Sequence, residues 1–130
     1  MIDANTIRKL YERYPEMVTK GDVEGIVALY AADATIEDPI GAPLHRGIDA
    51  IRKFYQAAAG TVTMKRVGPV HVAGCEAATP LRVLIGTEGA QKQALDIISV
   101  MAFRDDGKIA SMRAFWSFDA MRPATPEDER

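Results

Sequence analysis

The sequence predicts an α+β fold, with three helices from the N-terminal half packed on a sheet built from the second half. Two observations lead there. Through residues 1–60 the apolar positions recur three and four apart, the spacing of a buried helix face. Through roughly residues 61–120 apolar and polar residues alternate, the spacing of strands with one buried face. Helices followed by strands point to a helical layer on a largely antiparallel sheet. The 130 residues suit one domain with one core. Residues 1–122 are read as that domain, and the polar segment 123–130 (PATPEDER) as a frayed tail.

The first helix is expected from Asp3 to Lys20, with Ile7, Leu10, Tyr11, Tyr14, Met17 and Val18 in one stripe. Pro15 lacks the N–H that would reach the Tyr11 carbonyl, so a kink is expected beside Tyr14. Gly21 ends this helix and Asp22 caps the next, which runs from Val23 to Tyr30 and buries Val23, Ile26, Val27 and Tyr30. Ala34–Glu37 is extended and Asp38–Pro43 is a loop. The third helix follows Gly47, with Ile48, Ile51, Phe54 and Tyr55 on one side. One strand lies within Thr61–Val72. Clearer strands follow at Leu81–Thr87, Gln93–Phe103 and Lys108–Phe118, the last two joined by an Asp105-Asp106-Gly107 turn. Their inner faces carry Leu81, Val83 and Ile85; Leu95, Ile97, Ser99, Met101 and Phe103; and Ala110, Met112, Ala114, Trp116 and Phe118.

The scarce residues exclude several chemistries. One cysteine, Cys75, excludes an intrachain disulfide and a cysteine-rich zinc site. The two histidines, His45 and His71, have no metal-ligand spacing and are read as surface or simple structural residues, so no metal is expected. A net charge of −2 with scattered Lys and Arg gives no nucleic-acid footprint. No apolar run approaches the ~18 residues of a membrane span, and the first residues do not read as a signal peptide. A reduced, cytoplasmic setting is expected.

Polar residues on apolar faces carry the chemistry. Ser99 interrupts an otherwise apolar strand face; it is either a core hydroxyl bonded to a neighbour or a donor aimed into a cavity. Tyr14 is either a core ring or a phenolic donor, and Tyr30 and Tyr55 could extend it into a hydroxyl network. Pro39 keeps Asp38 extended, so its carboxylate either makes a turn or serves as a general base, its pKa raised by partial burial. Glu37 and Asp96 point to the opposite faces, and Arg82 points away from the inferred cavity.

With these residues in place, the chain resembles the bacterial Δ5-3-ketosteroid isomerases of the NTF2-like/SnoaL-like superfamily. The resemblance runs from about Ile7 to Phe118. It rests on Arg13-Tyr14, GDVEGIVALYAADATIEDPIG at residues 21–41, Phe54-Tyr55, ALDII at residues 94–98 and AFWS at residues 114–117. It implies a cone of three helices on a curved mixed or antiparallel sheet that encloses an apolar cavity. It also implies transfer of a proton from C4 to C6 of a 3-oxo-Δ5 steroid through a dienolate, with no cofactor.

The residue roles follow from the same likeness. Asp38 matches the general base and acid, Tyr14 the oxyanion donor, Tyr30 and Tyr55 the tyrosines behind it, and Trp116 the tryptophan near the base. Well-known members use an Asp base with a Tyr and a protonated Asp as oxyanion donors. Ser99 stands at the protonated aspartate's position and becomes the expected second donor. Phe54, Leu95, Met101, Phe103 and Met112 are expected around the steroid rings. A homodimer is implied, and the exposed strand face of Asp96, Ile98, Val100, Arg113 and Phe115 suits its interface. The alternatives are another enzyme of this superfamily (a polyketide cyclase, dehydratase or epoxide hydrolase) or a non-catalytic module that binds an apolar ligand.

Overall fold

The structure is a computed structural model and describes residues 2–130. Three helices lie before the main run of strands: α1 (Ala4–Lys20), α2 (Val23–Val27) and α3 (Ile48–Ala58). The strands are β1 (Tyr30–Glu37), β2 (His45–Arg46), β3 (Val62–Arg66), β4 (His71–Ala73), β5 (Glu76–Ile85), β6 (Gln93–Phe103), β7 (Ile109–Phe115) and β8 (Arg122–Pro123). The sheet order is β2-β1-β7-β6-β5-β3, with β4 also on β5 and β8 on β6. β1 runs parallel to β7 and every other pairing is antiparallel, so the sheet is mixed.

The helix boundaries follow their caps. The Asp3 carboxylate accepts from the Asn5 N–H at 2.9 Å and starts α1. Gly21 ends it in the left-handed region at φ +68°, where a side chain would be strained. α1 continues through Pro15 and buries Ile7, Leu10, Tyr11, Tyr14 and Val18. Asp22 caps α2 through the Gly25 N–H at 3.1 Å. The expected second helix is too long: α2 stops at Val27, and Tyr30 opens β1 opposite Ile109. Pairing with β7 wins over helix propagation there, because Ile109 N–H donates to the Leu29 carbonyl at 2.8 Å.

β7 also corrects the simple alternation. The register shifts from Ala102↔Ser111 to Phe103↔Ile109, which leaves Ala110 as an extra residue. The inner face therefore passes from Ile109 to Met112, and Ala110 is only half-buried. The strand ends at Phe115, and Phe118 lies outside it, 73% exposed.

The tail is held rather than frayed. Asp128 is 4% exposed and accepts from Arg122 at 2.6 and 3.0 Å and from the Thr125 N–H at 2.8 Å. β8 pairs with the start of β6, so the tail closes over that edge.

Candidate active site

Between α3 and the inner face of the sheet lies a cavity of about 610 Å³. Its apolar wall includes Phe54 from α3, Met64 from β3, Val83 from β5, and Leu95 and Ile97 from β6. Tyr14, Asp38, His45, Tyr55 and Trp116 supply polar groups, and Lys53 adds a cation from an exposed position on α3. A cavity of this size with few polar groups suits a compact apolar molecule held by one polar end.

Asp38 is positioned by strand pairing. Glu37 is level with Arg113 in the parallel β1–β7 register, and the Ile40 N–H continues the pairing to the Ala114 carbonyl at 2.9 Å. The intervening Asp38–Pro39 peptide is cis. Trp116 follows Ala114 by two residues and returns to the same face. Its Nε1–H donates to Asp38 Oδ1 at 2.6 Å. Burial raises the Asp38 pKa above its ordinary value; the Trp116 bond and His45 pull it partly back. Glu37, as expected, turns elsewhere and accepts from the Gly41 N–H at 2.8 Å.

The tyrosines form the expected network. Tyr14 Oη lies 2.8 Å from Tyr55 Oη, and Tyr55 Oη lies 2.5 Å from Tyr30 Oη. All three are buried, from α1, α3 and β1 respectively. Their mutual bonds make that burial tolerable, because an unpaired buried hydroxyl costs about 1–3 kcal/mol. Among the described residues no buried side-chain polar atom lacks a partner. Burial raises the Tyr14 pKa, and the Asp38 charge raises it further against the bond from Tyr55. Tyr14 therefore stays protonated at neutral pH and can donate.

Ser99 faces inward and is 1% exposed, but it does not line the cavity. Its Oγ lies 3.1 Å from Tyr11 Oη, and Tyr11 also donates to the Ser99 carbonyl at 3.2 Å. Of the residues expected around the ligand rings, Phe54 and Leu95 line the cavity. Met101, Phe103 and Met112 are packed in the core beyond it. Arg82 is on the opposite face, as read from its strand, and pairs with Asp96 at 2.7 Å. Cys75 is exposed in the turn between β4 and β5.

Two residues were missed. Tyr11 reads as one more apolar stripe residue; its signal was a second tyrosine three positions before Tyr14 on the same face. His45, read as surface or structural, lines the cavity and packs 5.0 Å from the Phe54 ring. It pairs opposite Ile36 in a two-residue strand, too short to read from alternation.

Comparison with known proteins agrees with this architecture. A steroid Delta-isomerase from Nocardioides simplex is 42% identical over 111 residues, covering 85% of this chain and 89% of that protein. The epoxide hydrolase LasB of Streptomyces lasalocidi is 29% identical over 98% of this chain, which spans 49% of that protein. Among solved structures, the epoxide hydrolase/cyclase-like enzyme SalBIII, of pyran ring formation in the polyether salinomycin, superposes with a TM-score of 0.87 at 26% identity. The match covers 95% of this chain and 100% of that one. The SnoaL-like domain model matches residues 11–112, and with these relatives it shows that the chain belongs to the SnoaL-like family, which is NTF2-like in fold.

Proposed function

We propose that this protein is a steroid Δ-isomerase that converts 3-oxo-Δ5 steroids to their conjugated Δ4 isomers. The observation that carries this reading is the pairing, in one apolar cavity, of a half-buried carboxylate with a neutral phenol backed by two more. The 42% identity to a steroid Delta-isomerase supports it. Asp38 removes the C4 proton, and the electron pair moves through the carbonyl to leave a dienolate with its charge on the C3 oxygen. Tyr14 donates to that oxygen as the charge develops. Protonated Asp38 then delivers the proton to C6. One carboxyl serves as base and acid, so the net change is a moved double bond and no cofactor takes part. Trp116 holds the carboxylate, and Phe54, Leu95 and Ile97 pack on the rings.

The reading includes a homodimer in a cytoplasmic setting. Ile98 and Phe115, opposite one another in the β6–β7 register and both exposed, support a contact face there, with Arg113 5.5 Å from the Phe115 ring centre. No described helix is long and apolar enough to cross a membrane.

A second reading, dehydration or epoxide opening, is favoured by one observation: His45 and Asp38 line the same cavity. Enone ultraviolet absorbance on adding 5-androstene-3,17-dione separates the two. The isomerase reading expects rapid growth, a loss of about 10²–10⁴-fold or more in Asp38→Asn, and only a small loss in His45→Gln. Turnover by Asp38→Asn close to that of the parent removes Asp38 from the mechanism. No growth in the parent favours the second reading.

A further inference from the structure

The cavity stops at a definite place on β6. Leu95 and Ile97 line it; Ser99, next on the same face and roughly 7 Å further along the strand, does not. Tyr11 packs between Tyr14, which lines the cavity, and Ser99, which does not. Its side chain is fully buried and its ring meets Tyr14 edge-on, with centres 6.4 Å apart and planes at 89°. Its hydroxyl lies on both the Ser99 hydroxyl and the Ser99 carbonyl.

The protons of this pair can be counted. A carbonyl oxygen only accepts, so the bond at 3.2 Å uses the Tyr11 proton. The contact at 3.1 Å between the two hydroxyls then needs the Ser99 proton, given to Tyr11 Oη. Two protons make two bonds, and neither is left for a ligand. The chain from Tyr30 through Tyr55 to Tyr14 differs: three phenol protons serve two internal bonds, so one is left over, and when Tyr30 donates to Tyr55 and Tyr55 to Tyr14 it is the Tyr14 proton.

We infer that Tyr11 is a positioning residue that holds the Ser99 hydroxyl away from the ligand, leaving Tyr14 as the sole hydroxyl donor to a bound ketone or enolate oxygen. The inference rests on the reading that such an oxygen sits at Tyr14. It makes Ser99 a latent donor that the Tyr11 hydroxyl suppresses.

A double-mutant cycle of Tyr11→Phe and Ser99→Ala tests this, read both as turnover of 5-androstene-3,17-dione and as the dissociation constant of 2-naphthol, with naphthalene as the control. In the parent background Ser99→Ala costs less than about threefold in turnover and in naphthol affinity. In the Tyr11→Phe background, where the serine proton is released, it costs about tenfold or more in both, the scale of a hydrogen bond to a charged oxygen. Naphthalene affinity is the same with and without the serine hydroxyl. An equal cost of Ser99→Ala in both backgrounds overturns the inference. Absent turnover in the parent overturns the isomerase reading alone, because the naphthol cycle still decides the role of Tyr11. Should Tyr11→Phe fail to fold, proton NMR of the parent–naphthol complex decides. One deshielded hydrogen-bonded proton, lost in Tyr14→Phe, supports the inference; a second, lost in Ser99→Ala, overturns it.

Discussion

Two buried hydroxyl systems meet where the Tyr11 ring packs edge-on against Tyr14, and they differ in proton count rather than in chemistry. The Tyr30–Tyr55–Tyr14 chain is linear and has one proton more than it has internal bonds, which the proposed arrangement leaves on Tyr14. The Tyr11–Ser99 pair closes on itself through the Ser99 carbonyl. In both every hydroxyl has a partner, and both contain phenols held neutral by burial, which raises the Tyr11 and Tyr14 pKa values alike. Similar burial thus leaves a donor for the cavity in one case and a closed pair in the other. What decides the difference is whether a backbone carbonyl competes for the last proton.

Within this comparison the largest expected effect comes from removing the open end of the first system. Tyr14→Phe should lower kcat on a 3-oxo-Δ5 steroid by about 10²–10³-fold, the cost of losing an oxyanion donor with none to replace it. A loss below about fivefold would mean that Ser99 shares the oxygen, and the contrast between the two systems would disappear.

Changing the closed system should act on stability instead. Ser99→Asp places a carboxyl where burial raises its pKa above the unfolded value of roughly 3.9. Between those two values the unfolded chain has released the proton and the folded chain has kept it, so stability falls as pH rises. The expected penalty grows by about 1.4 kcal/mol per pH unit through that window and is absent below about pH 4. Urea melts of both proteins from acid to alkaline pH measure it. Parallel stability curves would show a solvated carboxyl and hence a cavity that reaches residue 99.

The smallest effect lies at the carboxylate and checks that the base, not either hydroxyl system, sets the acid limb of the pH profile. Trp116 donates to the ionised carboxylate of Asp38 and so lowers its pKa. Trp116→Phe should move the acid limb of kcat/KM up by about half to one pH unit. Activity then falls at a pH where the parent keeps it, because more Asp38 is protonated. An acid limb that does not move would mean that another group titrates there.

The relation between sequence and structure follows the range of each interaction. Helical spacing placed Tyr14 on the buried side of α1 and Tyr55 on the buried side of α3, and capping residues set the limits of α1 and the start of α2. Strand alternation placed Ser99 inward and Asp96 outward, and Asp96 meets Arg82 there. Tyr30 was placed on the wrong kind of element yet on the correct side. Both a helix face and the first position of β1 could bury it, and only pairing with Ile109 chose between them.

By itself, the sequence determined the α+β class, the buried side of each main element, and the few polar residues that could do chemistry without cysteine or metal. These follow from period, caps and composition, which act over a few residues. Tertiary structure alone decided where the cavity ends, what His45 faces, and which hydroxyl keeps a proton for the ligand. The Tyr11–Ser99 bond joins residues 88 apart, and the Trp116–Asp38 bond joins residues 78 apart. Local spacing can show that a hydroxyl is buried. Which neighbour takes its proton depends on distances that arise only when α1 and β6 pack together.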